Sequence, residues 1–565
     1  MSTYDYVIAG GGSAGCVLAA RLAEDPDIRV CLVEAGGRGR DLFIRMPAGN
    51  GFVYGNPRLD WGLTSTPQAG LNGRRISYPR GKALGGSSIV NGMIYMRGVA
   101  ADYDGWRQAG LPGWSYAEVL PYFRRAEGAP HRADAWHGGD GPLKVEPARN
   151  YGEIDVAFVE AAKAAGHAPL ADFNGPVRAG VGRNDSTVSK GIRQSAAIAY
   201  LRTRPSNLTL RTHCPTARLL VEGTRAVGVQ TLEGETIRAE REVIVCQGAF
   251  GTPQLLMLSG IGPADALRDL GLPVLADLPS VGANLSDHPN VPVQYGSMRD
   301  DLCHARLQRL DRAAGVMGRW LWNGSGPGGG AFFSTVLFHA LEDPALPEIE
   351  VFMTPMIVDE NLTHDADPAA PLLHRLGRHL LVRGNKTARP GVQIDINLER
   401  PRSAGTVRLA SADPRDAPVI DPQFLQDPHD VAILRQGVEA MRDVMRRPPI
   451  AGLVTGETGA WATARSDVEI DAAIRMTAHT GHHPACTARM GDVLDAELRV
   501  HGIDGLRVCD ASAFPAQITG NLYATVVMMA EKAADMVLGR PAPAPEYPQE
   551  AAAVMGSAGS ASPRS

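Results

Sequence analysis

The sequence has no CxxC pair. Its seven cysteines (Cys16, Cys31, Cys214, Cys246, Cys303, Cys486 and Cys509) are odd in number and scattered, which excludes a disulfide framework and a zinc ribbon. Aromatic residues are few, at 6%. No run approaches the ~18–20 uninterrupted apolar residues of a membrane span. Basic charge is not in excess: 56 Lys+Arg against 61 Asp+Glu leave −5, so the footprint of a nucleic-acid binder is missing. The opening residues hold a strand-like run and no basic segment leading into an apolar one; with the unpaired cysteines, a reducing cytoplasm is expected. Glycine, by contrast, is plentiful: 64 of 565 residues, gathered into compact motifs and not into repeats. The length exceeds the ~250–300 residues at which single cores stop growing, so more than one structural unit is expected.

Residues 4–9 read as a buried strand, broken by Gly10-Gly11-Gly12-Ser13-Ala14-Gly15 and continued by a helix to about residue 24. A second apolar strand spans 28–33 and ends at Glu34. This is a βαβ unit with a right-handed crossover. Residues 242–246 and 506–509 predict two more buried strands, so the opening domain is revisited late in the chain. Between about 298 and 475 the apolar runs alternate, as in Val392-Gln393-Ile394-Asp395-Ile396-Asn397-Leu398, predicting a sheet with one covered face. The expected fold is an α/β, Rossmann-like nucleotide-binding domain plus an α+β substrate-binding domain with an antiparallel sheet. Its expected division is 1–297 for the first domain, 298–480 mainly for the second, 481–540 for the return and 541–565 for a disordered tail rich in Pro, Ala, Gly and Ser.

Gly10, Gly12 and Gly15 form G-x-G-x-x-G between strand and helix. The first permits a tight turn, the second lets the backbone approach a pyrophosphate, and the third lets helix and strand pack closely. The helix start at Ser13 and Ala14 offers free N–H groups and partial positive charge to phosphates. Glu34, followed by Ala35, is positioned to accept from ribose hydroxyls. The motif by itself leaves FAD and NAD open.

Two longer segments are more specific: residues 81–95, a second glycine-rich loop (GKALGGSSIVNGMIY), and residues 248–262 (GAFGTPQLLMLSGIG), where Pro253 is placed to open a helix. Together they resemble the two signature patterns of the glucose–methanol–choline (GMC) oxidoreductases, a family of FAD enzymes. The resemblance extends to the C-terminal part and is weakest over about 300–390. It implies a flavin covered by a loop at about 78–98, with Arg80, Gly81, Leu84, Gly85, Gly86 and Ser88 against the FAD and Asn91, Gly92, Met93 and Ile94 beside the isoalloxazine. It places Thr216 near the adenine, Gly248 at a strand exit, and Asp510 with Ala511 at the end of the last flavin-domain strand. The FAD is expected to be non-covalent, because covalently tethered members carry His directly before the loop Asn, where this chain has Val90.

Residues 479–491 (HTGHHPACTARMG) resemble the family's active-site loop, with His483 matching the catalytic base and Cys486 standing where Gly is usual. Pro484 drives His483 into extended backbone, and an imidazole titrating near neutrality suits proton abstraction from an alcohol. His479, His482 and His483 lack a fourth ligand at helical spacing, so no metal is expected. Asn521 is a good helix N-cap and, by the resemblance, the second catalytic residue, which bonds the substrate oxygen. The resemblance implies an FAD-dependent oxidoreductase taking a primary alcohol to an aldehyde by hydride transfer to flavin N5. Residues 91–98 look most like the family's bacterial choline and alcohol dehydrogenases. An oxidase, a lyase or light-driven decarboxylase, and an NAD-linked dehydrogenase are the competing readings. Gly481 and His482, small and polar where oxidases place bulky apolar groups, favour electron delivery to a quinone or protein acceptor, through which any membrane association would be made. Glu348 and Glu350 are the carboxylates considered for a cationic substrate.

Overall fold

The computed structural model describes residues 2–308, 310–358 and 388–548. Val7, Ile8 and Ala9 are fully buried, as a strand covered on both faces requires. Their strand, Ser2–Ala9, runs parallel to Val30–Val33 on one side and to Thr236–Val245 on the other. Leu208–Arg211 extends the sheet beyond Val30–Val33, and Leu506–Val508 lies parallel to Thr236–Val245, so the late part of the chain returns here. Arg225–Thr231 and Thr216–Glu222 complete a mixed seven-stranded sheet through antiparallel pairings. The helices Ser13–Leu22 and Leu522–Leu538 share its apolar core.

The second seven-stranded sheet is antiparallel. Its order is Val454–Glu457, Pro289–Ser297, Val392–Leu398, Ile349–Thr354, Thr335–His339, Gly180–Arg183, with His479–Thr480 also paired to Pro289–Ser297. The alternation read in the sequence has a direct consequence. Val392, Ile394, Ile396 and Leu398 pack with Val291, Val293, Ile349 and Val351 into one core together with helix Pro428–Met445. Gln393, Asp395 and Asn397 line a cavity instead.

Several expectations need correction. Gly180–Arg183 and Pro289–Ser297 fall within 1–297 but belong to the second sheet, because their pairing partners are Thr335–His339 and Val392–Leu398. Pro253 does not open its helix; it sits inside Gly248–Leu258, whose first turns begin before it. Residues 541–548 are held down, by Glu546 N–H donating to the Ala117 carbonyl at 2.9 Å and by Tyr547 packing edge-on against Tyr116 and Trp136. The remainder of the expected tail, 549–565, lies outside the described residues. Among the described residues no helix is long and apolar enough to cross a membrane. All seven cysteines are buried and unbridged.

Candidate active site

A cavity of about 1550 Å³ runs from the glycine turn to the residue 479–484 loop, large enough for a dinucleotide and a small substrate together. At one end, an added Cβ at Gly10 would meet the Cys246 carbonyl oxygen at 2.4 Å, and one at Gly15 would meet the Gly10 carbonyl oxygen at 2.0 Å. Both glycines are therefore demanded by packing. Helix Ser13–Leu22 has no side-chain cap, and Gly12, Ser13 and Ala14 line the cavity, leaving its first N–H groups to an anionic ligand. Glu34 lines it as well, its carboxylate oriented by the Gly11 and Gly36 N–H groups at 3.0 and 2.7 Å, with burial pushing its pKa up. These features fit an FAD.

Ala35, Arg80, Gly81, Gly86, Ser88, Asn91, Gly92, Met93, Ile94, Thr216, Gly248, Asp510, Ala511 and Asn521 also line the cavity. Gly15, Leu84 and Gly85 do not: Leu84 and Gly85 pack the covering loop onto Gly11, where Gly85 N–H donates to the Gly11 carbonyl at 2.8 Å. The Asp510 carboxylate is committed to the Gly248 and Ser512 N–H groups and the Thr252 and Ser512 hydroxyls. It thus shapes the strand end as well as facing the cavity. Met93 holds a left-handed backbone at φ 63, strained for a non-glycine residue beside the cavity.

What holds the covering loop comes from far away in the chain. Arg193, fully buried, donates to the Asn91 carbonyl and side-chain oxygens, both at 2.7 Å, and to Asn50. Its own neighbours in sequence carry no motif.

At the other end, residues 479–485 are laid along 286–290. His479 and Thr480 pair with Asn290 and Pro289, and Gly481 N–H donates to the His288 carbonyl at 2.7 Å. Asp287 accepts from His483 N–H at 2.8 Å and from the Thr480 hydroxyl at 2.6 Å, while Gln517 and Arg80 donate to the carbonyls of His483 and His482. The backbone of His483 is thereby fixed on both sides. Its ring has Nδ1 3.0 Å from Nδ1 of His288, and Nε2 3.1 Å from the Asn521 amide nitrogen, which donates. Burial, with His288, His482 and Arg80 adding to it, holds His483 well below the usual imidazole pKa; burial likewise takes His288 down to about 3. Two neutral rings therefore share one hydrogen.

Asn521 precedes helix Leu522–Leu538 but makes no side-chain cap; its amide turns to His483, and its Oδ1 is buried without a partner at the cavity wall. Cys486 takes a left-handed φ of 71, which accounts for glycine being the easier residue there. The three histidines of the loop diverge: His479 Nδ1 meets the Thr480 carbonyl, the His482 ring stacks on Tyr54, and His483 meets His288. Glu348 and Glu350 do not line the cavity. Glu350 is fully buried, and Glu348 meets Leu341 N–H and Arg400; Phe333 and Phe352 occupy the wall instead. His288 was missed, although Asp287-His288-Pro289 carries the same His-Pro pair as the active-site loop, which is the signal that could have found it.

Comparison with known proteins agrees with this architecture. The GMC oxidoreductase family models match residues 4–290 and 401–530. The chain is 40% identical over 557 residues to an oxygen-dependent choline dehydrogenase of Paraburkholderia xenovorans, covering 95% of each, and 39% identical over 560 residues to the mitochondrial choline dehydrogenase of Homo sapiens, covering 95% of this chain and 90% of the human one. Among solved structures, pyridoxine 4-oxidase from Mesorbium loti superposes with a TM-score of 0.82 at 32% identity, over 95% of this chain and all of that one. An FAD-dependent oxidoreductase from Chaetomium thermophilum gives 0.82 at 27%, over 95% and 99%. With a glycine cradle at one end of its cavity, a His–Asn pair at the other, and matches along most of its length, this chain belongs to the GMC oxidoreductase family.

Proposed function

We propose that the protein is an FAD-dependent alcohol dehydrogenase that oxidises a primary alcohol to its aldehyde, with His483 as the base. The observation that carries this reading is the half-buried His483–Asn521 pair at 3.1 Å, set in the wall of the cavity that begins at the Gly10–Gly15 turn. When bound, FAD supplies the acceptor for the hydride. His483 takes the hydroxyl proton at Nε2, and Asn521 orients the substrate oxygen through the same amide that meets Nε2. Phe333 and Phe352 give the same cavity an apolar wall. Choline is the first substrate to test, because the curated relatives named above act on it.

The test is anaerobic mixing of the purified yellow protein with choline, ethanol and benzyl alcohol in turn, following flavin bleaching. Bleaching by at least one alcohol is expected; a protein that takes up no FAD, or whose flavin no alcohol reduces, refutes the reading. Acid precipitation should release the yellow colour into the supernatant, since Val90 leaves no histidine before Asn91 for a covalent link; colour retained in the pellet contradicts this. In air, dye or quinone reduction should outrun peroxide formation. Equal rates would make the protein an oxidase.

The pH profile follows from the burial of His483. Only the neutral imidazole accepts a proton, and a depressed pKa preserves that form to lower pH. kcat/KM should therefore stay level from neutrality down through pH ~6.5, the ordinary imidazole value, and fall only below it. An acid limb at pH 7 or above would contradict the placement of the base at His483.

A further inference from the structure

We propose that His288 is a positioning residue for the reaction above, on which this inference rests: it accepts the Nδ1 hydrogen of His483 and so holds His483 in the tautomer whose Nε2 lone pair faces the cavity.

The geometry allows two arrangements of the single hydrogen between the rings, whose Nδ1 atoms are 3.0 Å apart. In the first, His483 donates, its Nε2 is bare, and the Asn521 amide donates to that Nε2 at 3.1 Å. In the second, His288 donates, which puts the remaining hydrogen of His483 on Nε2 and removes its capacity to act as a base. What decides is the Asn521 amide on the far side of His483. An amide nitrogen can only donate, so the Nε2 it meets at 3.1 Å must be bare, and the hydrogen of the neutral ring then sits on Nδ1. The second arrangement would set two donors against each other at that contact. His288 itself is fully buried, so its Nδ1 is held where it can accept.

The charged and titratable groups around the pair leave this arrangement in place. His483 is faced by His288 from strand Pro289–Ser297's entry, by His482 on its own loop and by Arg80 from the start of the covering loop, while Asp287 meets its N–H group and Asn521 its Nε2. His288 has the Glu399 carboxyl 3.9 Å from Nδ1, with Arg400 beyond it. Burial raises the Glu399 carboxyl above the usual carboxylate range, which weakens its pull on a second proton at His288. A third group orienting the base is how hydrolytic triads keep their histidine in the working tautomer; here a neutral ring takes the place of the carboxylate.

The experiment compares the His288→Ala, His288→Gln and His483→Gln holoenzymes, using whichever of choline, ethanol and benzyl alcohol reduces the wild-type flavin fastest. His288→Ala should slow flavin reduction about 10–100-fold, less than loss of the base itself, with KM changed by less than about twofold. Its acid limb should move to higher pH as water reaches His483. His288→Gln offers a carbonyl oxygen to the same Nδ1 hydrogen and should recover most of the rate. A wild-type rate and limb in His288→Ala, with His483→Gln inactive, overturns the proposal and leaves the base assignment standing. Equal slowing in both His288 variants with an unmoved limb assigns His288 to structure alone and also overturns it. A fully active His483→Gln refutes the underlying reading instead.

Discussion

Replacing His483 by glutamine is expected to slow alcohol-dependent flavin reduction about 10²–10⁴-fold while flavin content stays at the wild-type level. The size follows from the role: proton removal from the hydroxyl must accompany hydride loss, and no other ring nitrogen stands where Nε2 does, 3.1 Å from the Asn521 amide. Retention of the cofactor follows from the loop. The position is held by backbone groups, through Asp287 at the N–H and Gln517 at the carbonyl, and glutamine keeps both. Asn521→Ala removes one neutral hydrogen bond, worth about 0.5–1.5 kcal/mol, and should cost no more than about tenfold. Stopped-flow reduction under anaerobic conditions separates the two variants. A His483→Gln enzyme reduced at a near-normal rate would exclude this residue as the base, whatever its effect on KM.

The parts of this molecule that a reader of the sequence could find are those written in local rules. The βαβ opening needs only a buried strand, a G-x-G-x-x-G turn and an acidic residue at the next strand end, all within residues 4–34. The alternation of 392–398 likewise gives one core face and one polar face without reference to the rest of the chain. Asn521 shows where local rules lose: a helix start asks for a cap, but a ring brought from 38 residues away takes the amide instead. His288 meets His483 across 195 residues and Arg193 meets Asn91 across 102; the repeated His-Pro pair hints at the first meeting, but nothing near Arg193 encodes the second. Composition misjudged residues 541–548 for a related reason. Proline and alanine suggest disorder, yet Tyr547, a backbone bond to Ala117 and an ion pair of Glu546 with Arg124 seat the segment.

Glu127→Gln should lower the free energy of unfolding by about 3–5 kcal/mol, the cost typical of leaving a buried charge uncompensated. Glu127 is 1% exposed and its carboxylate serves two cations: Arg97 Nη2 donates to it at 2.7 Å and His137 Nδ1 lies 3.0 Å away. Glutamine keeps the shape, so the loss is one of charge and not of packing. Arg97, fully buried and seated against the Phe123 ring, would keep the Trp136 carbonyl and a neutral amide oxygen as acceptors but lose its counter-charge. It stands three residues beyond Ile94, which lines the cavity, so the end of the 78–98 loop should loosen with it and bound FAD should dissociate faster. The same substitution changes the pH dependence of stability. Burial opposes the protonation of His137, but Asp172 and Glu127 outweigh it and raise its pKa to about 9. A raised histidine contributes stability that is full below the ordinary value of ~6.5 and is lost as pH climbs through the folded value. The wild-type denaturation midpoint should therefore fall between pH 6.5 and 9. In Glu127→Gln, with one of the two carboxylates at His137 gone, that fall should be smaller on a midpoint already lower at pH 6.5. Urea titrations at the two pH values measure both quantities, and an unchanged midpoint at pH 6.5 would mean that Arg97 finds another partner when Glu127 is neutral.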